Sequence, residues 1–355
     1  VLMGLAFKDS PMLSAGFVEG ALKARGWLTA GRVSGVTETE RFASGSGAEV
    51  ARLAVTYEGA PPEAPATVIA KICGGEAAED GARELRFLRR VAPGLEGAPA
   101  PKLYAAAGAM EERRIVLVLE DAEVGGWAKT VFPPSQADLE RVTDFLAGFH
   151  ARFWNGAWPE DYETATAMRS VTRAAQAYPI AAIAQNVRAV EAATGRYLED
   201  HAEDLSADEV RLLQRLLALW PPIMRDRAED TANLTLVHGD FHLMGNVFQP
   251  PAGQTGLKVI DWSEVKPGRG PHDLAYALVS AASEDRAERD RGLLRRYVAG
   301  LQARGVTGYG FEAAYADYRF SLLTNLFQSV FQDSVRWLRV TLDAVRDHDA
   351  EAVLD

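Results

Sequence analysis

Three polar side chains in the second half of the chain have the types and the order of a phosphoryl-transfer site. Asp240 ends the segment His-Gly-Asp, Asn246 follows six residues later, and Asp261 is the acid of the segment Ile-Asp-Trp. A carboxylate can orient and deprotonate a hydroxyl group, and amide and carboxylate oxygens are ligands that Mg²⁺ prefers in proteins. The pattern therefore predicts transfer of a phosphoryl group from ATP, with Asp240 as the catalytic base and Asn246 and Asp261 as Mg²⁺ ligands.

The segments that contain these residues resemble the motifs of the aminoglycoside phosphotransferase and choline kinase superfamily. The matching segments are His238–Asp240, Ile260–Trp262 and Gly270–Ala275. The resemblance extends over most of the chain and is greatest for the ecdysteroid-kinase-like branch, whose substrates are diverse hydroxylated molecules. It implies a protein-kinase-like fold and the phosphorylation of a small molecule. It also implies that His238 supports the catalytic loop and that Asp273 braces this loop from below.

The spacing of the two loop residues departs from the family pattern, in which the asparagine is one residue closer to the aspartate. Here Asn246 is six residues after Asp240, and Gly245 directly precedes it. Because glycine reaches backbone angles that other residues avoid, we expect a bulge at Gly245 that returns Asn246 to the metal. If Asn246 points away instead, water would take its place and Asp261 alone of these side chains would hold the metal. The longer spacing also motivates an alternative function, a catalytically silent pseudokinase that binds a nucleotide or another ligand.

Lys71 is a charged residue inside the apolar segment Val68–Cys73, which has the composition of a strand. A buried lysine without a partner is costly, whereas a lysine on an edge strand could extend its amine to solvent. The family resemblance implies that Lys71 binds the nucleotide phosphates and pairs with a glutamate of the following helix. Glu84, in the segment Arg-Glu-Leu-Arg-Phe, is the expected partner, and Glu79 is its nearest competitor.

Two backbone segments are expected to complete the nucleotide site. A Gly/Ser loop between two strand patterns would place its amides near phosphate oxygens, although many such loops are plain hairpin turns. The residues of this loop are Ser44, Gly45, Ser46 and Gly47. A second segment resembles the strand and adenine-binding hinge of the family, and its residues are Leu119, Glu120 and Asp121. A buried strand and its exit would give the same pattern in this segment.

The histidines near Asp240 allow a different kind of site. His238, Asp240 and His242 form a His-x-Asp-x-His pattern that could ligate zinc or a pair of metal ions in a hydrolase. The sequence has no helical His-Glu-x-x-His motif and no cysteine near this pattern, so a metal-dependent hydrolase is the remote alternative. His150, at the end of a predicted helix, is expected to pack in the core.

The composition of the 355 residues excludes several classes of protein. The formal net charge of −11 argues against nonspecific binding to nucleic acid or to an anionic membrane, and no apolar run has the length of a membrane span. The single cysteine, Cys73, permits no intrachain disulfide and fits a reducing compartment, so we expect a cytoplasmic protein. The sequence begins with Val1 and shows no signal-peptide pattern.

The pattern of apolar residues changes near residue 122. Before it, one helical pattern spans 79–92, and after it helical patterns dominate. The strand patterns cover 33–57, 67–73, 102–107 and 114–119. This order predicts an α+β, two-lobe, protein-kinase-like fold. Residues 1–122 would form the nucleotide-binding lobe, an antiparallel β-sheet with one key helix, and residues 123–355 a larger α-helical lobe with the catalytic loop and the acceptor site.

The identity of the acceptor and the choice between ATP and GTP have no recognisable motif in the sequence. The resemblance implies only that the acceptor is a small molecule with a hydroxyl group. Its site is expected in the segment 155–200 and in the helices after residue 273. Several apolar residues at helical spacing there could line a pocket or, as is commoner, form the core. These residues are Phe320, Leu323, Phe327, Phe331 and Trp337.

Overall fold

The chain forms two compact units, each described separately below. The computed structural model describes residues 13–42, 47–156 and 180–354. The first unit lies within residues 1–128 and 248–264, and the second within residues 129–247 and 265–355. Asp261 therefore belongs to the first unit, and Asp240 and Asn246 belong to the second. The lobe boundary expected after residue 122 stays a prediction.

A five-stranded antiparallel sheet is the centre of the first unit. Its strands are β1 (Arg32–Phe42), β2 (Glu49–Glu58), β3 (Thr67–Gly74), β4 (Leu103–Ala109) and β5 (Arg114–Glu120), in the spatial order β1, β2, β3, β5, β4. The same unit contains the helices α1 (Ala15–Ala24) and α2 (Ala78–Arg90). One helix follows the third strand, as the sequence pattern predicts.

The strand β3 lies inside the sheet, between β2 and β5. Since successive side chains of a strand point to opposite faces, Ala70 joins a hydrophobic cluster with Leu22 of α1, while Lys71 and Cys73 lie on the other face. There α2 comes so close that a Cβ added to Gly81 would lie 2.7 Å from the Cβ of Cys73. The interior position of β3 excludes the alternative of an edge-strand lysine.

The second unit is mainly helical. Its helices are α3 (Gln136–Arg152), α4 (Ile180–Asp200), α5 (Ala207–Glu229), α6 (Pro271–Leu278), α7 (Arg286–Gln302), α8 (Phe311–Phe331) and α9 (Val335–Asp347). The remaining strands of the chain are short, namely β6 (Ala128–Lys129), β7 (Thr235–Val237), β8 (Val247–Gln249), β9 (Lys258–Val259) and β10 (Lys266–Gly268). A sheet followed by helices confirms the α+β class. Within the described ranges, every helix is too short or too polar to cross a membrane.

Helix α5 shows how packing outweighs local propensity. It begins with a capping box in which the Ser206 side chain and the Glu209 side chain each accept a backbone N–H of the other residue. Pro221–Pro222 lies inside the helix and removes backbone donors, yet the helix continues. The fully buried Trp220 packs edge-on against Phe327 of α8, with ring centroids 5.0 Å apart. This contact holds the helix at the point where the prolines weaken it.

Helix α2 is fixed to the turn after β9 by an aromatic stack. The rings of Phe87 and Trp262 are both buried, with centroids 3.9 Å apart and planes inclined by 11°. Beside them the guanidinium of Arg83 donates to the backbone carbonyl of Ser263. The stack thus joins two segments that are far apart in the sequence.

We expect Phe87→Ala to lower the free energy of unfolding by about 3–5 kcal/mol, because it leaves a cavity against Trp262. Phe87→Leu, which retains most of the apolar volume, should cost clearly less. Urea unfolding followed by tryptophan fluorescence measures both variants. A cost for Phe87→Ala that is no larger than the cost for Phe87→Leu would show that the stack does not hold α2.

Candidate active site

Lys71 is a buried cation of the first unit. Its Nζ lies 2.7 Å from Glu84 Oε2 on α2 and 2.7 Å from Asp261 Oδ1 after β9. Burial alone would lower the pKa of Lys71, but the charges of Asp261 and Glu84 raise it well above its ordinary value. The amine is therefore charged at neutral pH. The expected pairing with Glu84 is present, whereas its competitor Glu79 is exposed on the same helix.

The position of Glu84 depends on contacts that the sequence pattern did not reveal. Its carboxylate accepts both the Lys71 amine and the backbone N–H of Trp262. The indole N–H of Trp262 donates to the Val259 carbonyl at 2.8 Å. Arg83, which precedes Glu84, donates to the backbone carbonyl of Ser263. The only sequence signal for this contact was the position of Arg83 next to the glutamate of the motif. These contacts hold α2 in a fixed position against the Ile-Asp-Trp segment.

Asp261 has a left-handed backbone, with a φ of 60°. Residues with a Cβ avoid this region, although aspartate tolerates it better than most. Such a conformation persists when the neighbouring structure fixes it. Here Trp262 is stacked on one side and Val259 lies in β9 on the other. The turn aims the Asp261 carboxylate at Lys71, with a third of its side chain exposed.

The expected hinge residues are tied into the sheet. Leu119 pairs with neighbours on both sides in β5, and the backbone N–H of Glu120 donates to the Lys102 carbonyl at 2.8 Å. The buried Asp121 carboxylate accepts Arg52 Nε at 2.7 Å and Thr67 Oγ1 at 2.9 Å. The Asp121 side chain thus anchors the strand exit. Adenine binding by this segment stays a prediction.

The Gly/Ser loop lies mostly outside the described residues. Ser44, Gly45 and Ser46 belong to that part, and Gly47 is described. Gly47 has a φ of 75°, and a Cβ added to it would meet nothing within 4 Å. The need for glycine at this position is therefore conformational rather than steric. Phosphate binding by the loop stays a prediction.

Asp273 at the start of α6 holds the loop that carries Asp240 in the second unit. Its two carboxylate oxygens accept the backbone N–H groups of His238 at 2.7 Å and Gly239 at 2.9 Å. His150 Nε2 lies 3.1 Å from Asp273 Oδ2, and His150 Nδ1 lies 2.9 Å from the Tyr297 hydroxyl. Burial alone would raise the pKa of Asp273, but its contacts with His150 and the nearby histidines lower it.

The structure places both Asp273 and His238 in contact with the backbone of this loop, and it gives His150 a specific partner. The supporting role of Asp273 and His238 in catalysis stays a prediction. His150 is a fully buried residue, as expected, and its link to Asp273 could not be read from the helical pattern. His238 is also fully buried, and its Nδ1 accepts the backbone N–H of Asp240 at 3.2 Å. Gly239 has a φ of 86°, which turns the chain sharply between these two residues.

Asn246 points towards Asp240. Its Nδ2 lies 2.9 Å from the backbone carbonyl of Asp240 and 3.1 Å from Asp240 Oδ2. The amide nitrogen is thus the donor to Asp240, and the amide oxygen is the atom of suitable chemistry for a metal ion. The backbone N–H of Asn246 donates to the His242 carbonyl at 3.2 Å, which closes the turn that contains the additional residue.

The expected reason for glycine at position 245 was wrong. Gly245 is outside the left-handed region of backbone angles, so no unusual φ accommodates the longer spacing. Space is the constraint instead, since a Cβ on Gly245 would lie 2.7 Å from His242 Cε1. The Gly245 backbone N–H donates to His242 Nδ1 at 3.2 Å. The glycine therefore admits the imidazole ring.

The metal-dependent hydrolase is not supported by the structure. Among the described residues, no group of three or more His, Cys, Asp or Glu side chains could hold a metal ion. His238 and His242 each use Nδ1 to accept a backbone N–H, which takes one ring nitrogen from each of the two histidines. Burial raises the pKa of Cys73 to about 12, so this thiol stays protonated.

Part of the expected acceptor region is core. Phe320, Leu323 and Phe327 of α8 are buried, and both phenylalanine rings pack near Trp220. Phe331 and Trp337 are partly exposed. Of the segment 155–200, residues 157–179 lie outside the part of the chain that the structure describes. The location of the acceptor site stays a prediction.

We expect Asp273→Asn to lower the free energy of unfolding by about 3 kcal/mol at neutral pH, since an amide cannot accept all the N–H groups that the carboxylate accepts. Because the pKa of Asp273 is lowered by folding, its stabilising effect is complete above the ordinary aspartate pKa and is lost as the pH falls through the folded value. The difference from the wild type should therefore shrink in acid, as urea unfolding at several pH values measures.

Asp290→Asn is a matched control for this variant. Asp290 is another buried aspartate that contacts a histidine, and its carboxylate is bound by His348, Tyr318 and Arg289. Both variants should be destabilised, but only Asp273→Asn should speed amide hydrogen exchange at His238 and Gly239. Equal exchange at these two amides in both variants would contradict the bracing role.

Comparison with known proteins places these motifs in one family. The model of the phosphotransferase enzyme family (APH) matches residues 41–313. No curated protein sequence matches the chain significantly. Two solved structures with the same fold are a choline kinase from Cryptosporidium parvum Iowa II and a GDP complex of an aminoglycoside 2'-phosphotransferase-IIIa mutant.

The choline kinase is 10% identical with a TM-score of 0.56, and the alignment covers 90% of each chain. The aminoglycoside phosphotransferase is 13% identical with a TM-score of 0.51, over 90% of this chain and 92% of that chain. A Plasmodium vivax ethanolamine kinase is 10% identical with a TM-score of 0.50, over 88% of this chain and 82% of that chain. The two-lobe, kinase-like fold is thereby confirmed. Membership of the ecdysteroid-kinase-like branch stays a prediction. The family model matches most of the chain, and this match establishes that the protein belongs to the phosphotransferase enzyme family.

Proposed function

We propose that the protein is an ATP- and Mg²⁺-dependent kinase that transfers the γ-phosphate to a hydroxyl group of a small molecule. The observation that carries the proposal is the buried amine of Lys71, bound by Glu84 and by the aspartate of Ile-Asp-Trp. A buried cation with a partly exposed carboxylate beside it is suited to an anionic ligand that arrives with a metal ion. A cytoplasmic location is part of the proposal, because ATP is supplied there and Cys73 is a free thiol.

On the nucleotide side, Lys71 would bind the α- and β-phosphates while Glu84 holds its amine in place. Asp261 and Asn246 would hold Mg²⁺ through oxygen atoms, which suit this ion. When bound, Mg²⁺ would neutralise the charge of the phosphates. The described residues contain no cluster of three acidic or histidine ligands, which agrees with an ion held together with phosphates and water rather than by the protein alone. Gly47, its loop and the segment Leu119–Asp121 would contact the phosphates and the base.

On the acceptor side, Asp240 would accept the proton of the substrate hydroxyl. The hydroxyl oxygen then bonds to the γ-phosphorus, the bond from this phosphorus to the β–γ bridging oxygen breaks, and ADP leaves. Asn246 holds Asp240 through its amide N–H at 3.1 Å. Asp273 fixes the loop from which Asp240 extends. The geometry around Asp240 thus supports a base of fixed position.

The acceptor is proposed only as a class, a small molecule with a hydroxyl group. Proteins of the same fold are named as aminoglycoside, choline and ethanolamine kinases, so these three kinds of molecule belong in the first screen, with sugars, macrolides and sterol-like alcohols. The assay would measure phosphorylated product with ATP or GTP, with and without Mg²⁺. If a nucleotide raises the melting temperature of the protein but no acceptor is phosphorylated, the result would favour the pseudokinase.

We expect Asp240→Ala to lower kcat by about 10²–10⁴-fold while the Kd for ATP stays within a few-fold of the wild type, because Asp240 would contact the acceptor rather than the nucleotide. Calorimetry gives the affinity and product formation gives the rate. Asp343→Ala removes an exposed carboxylate of α9 and is the control expected to behave like the wild type. Full turnover in Asp240→Ala would reject its role as the base.

We expect Lys71→Met and Glu84→Gln each to weaken ATP binding and turnover, with effects that are not additive. The coupling energy of the double-mutant cycle should be on the order of 0.5–3 kcal/mol, since the two groups are in direct contact. Glu79→Gln on the same helix is the control, and it should show no coupling to Lys71→Met. A Glu84 cycle with no coupling would mean that this contact does not contribute to the nucleotide site.

A further inference from the structure

His242 lies beside Asp240 in a position that its neighbours define closely. Its Nε2 is 3.8 Å from Asp240 Oδ2, and its Nδ1 is 3.2 Å from the backbone nitrogen of Gly245. The ring is edge-on to Tyr276 of α6, with centroids 6.3 Å apart and planes at 70°. About a third of the His242 side chain is exposed, at 31%, so the ring borders the site rather than the core.

The contact with Gly245 determines which nitrogen of the ring carries the proton. A backbone N–H can only donate, so His242 Nδ1 must accept and must itself be unprotonated. The proton of the neutral imidazole is then on Nε2, the nitrogen that faces Asp240. The separation of 3.8 Å exceeds a hydrogen bond, but contacts of catalytic groups are often long without substrate and shorten when it binds.

Two neighbours, Gly245 and Tyr276, border the His242 ring. Gly245 has no side chain where a Cβ would lie 2.7 Å from His242 Cε1. Tyr276 is one turn after Asp273 on α6, so the helix that braces the loop at His238 and Gly239 also packs against His242. A Cβ at position 245 would therefore require the His242 ring to move.

We infer that His242 is a positioning residue for phosphoryl transfer: its Nε2–H directs Asp240 Oδ2, which the amide of Asn246 also approaches. Two donors on one oxygen would fix the rotation of the carboxylate and hence the direction from which it meets the acceptor hydroxyl. The inference rests on the proposed role of Asp240 as the base. It assigns a function to Gly245 as well, namely to admit and hold the imidazole.

The protonation pattern can be measured without any turnover. Long-range ¹H–¹⁵N correlation spectra of the ¹⁵N-labelled full chain resolve the rings of the six histidines. His242→Asn identifies the missing signal, and the other five report whether the variant is folded. We expect the Nε2–H pattern for His242 in the wild type and its loss in Gly245→Ala, in which the Cβ displaces the ring. A proton on Nδ1 in the wild type would overturn the inference.

Kinetics then test the effect on Asp240, with ATP hydrolysis by water as the probe reaction. His242→Gln keeps an N–H donor near the place of Nε2, whereas the shorter side chain of His242→Asn does not reach it. We expect kcat to fall about tenfold in the Asn variant, because one hydrogen bond to a charged group has an effect of this size. In the Gln variant, kcat should be at least about half of the wild-type value. The KM for ATP should be unchanged within about twofold in both.

The possible failures are distinguishable. If the wild type turns over ATP, two results would overturn the role of His242 while leaving the proposed function intact. One is an equal loss of kcat in the Gln and Asn variants, and the other is a change in the KM for ATP instead of kcat. A wild type without turnover on water or on any acceptor of the screen overturns the proposed function, and the positioning role falls with it. In that case the Nε2–H pattern would still report whether the loop geometry is as described.

Discussion

The buried charge of Lys71 is the constraint on which the first unit depends. An ammonium group inside a central strand would be prohibitively costly without partners, so the fold must supply negative charge at that point. It does so with Glu84, 13 residues later, and with Asp261, 190 residues later. The requirement for charge balance thus joins a strand, a helix and a distant turn. The stack of Phe87 on Trp262 then makes the arrangement rigid by apolar contact.

The second unit contains the opposite case, a buried anion. Asp273 is fully buried, and its charge is balanced by backbone N–H groups and by His150 rather than by a lysine or arginine. Backbone donors are fixed in direction, so this solution also fixes the path of the loop at His238 and Gly239. A site that needs a base in one orientation gains from such a loop, because little reorganisation is left for the reaction itself.

The longer loop after Asp240 accommodates its additional residue in a closed turn. The turn closes through the Asn246 backbone N–H on the His242 carbonyl, while the Asn246 side chain returns to Asp240. Gly245 makes this possible by leaving space for the His242 ring rather than by an unusual backbone angle. Spacing in a motif is therefore a weaker constraint than the contacts that the motif residues make.

The sequence by itself determined the class of fold, the family and the residues of greatest chemical interest, because the motifs are short and local. Apolar alternation predicted the strands, and the rarity of a lysine in such a strand identified Lys71. What the sequence could not determine were contacts between distant segments, such as Asp261 with Lys71 or His150 with Asp273. Those contacts depend on which faces meet after folding, a property of packing that no local pattern contains. For the same reason only the tertiary structure decided why position 245 is a glycine: the answer is the place of a neighbouring ring.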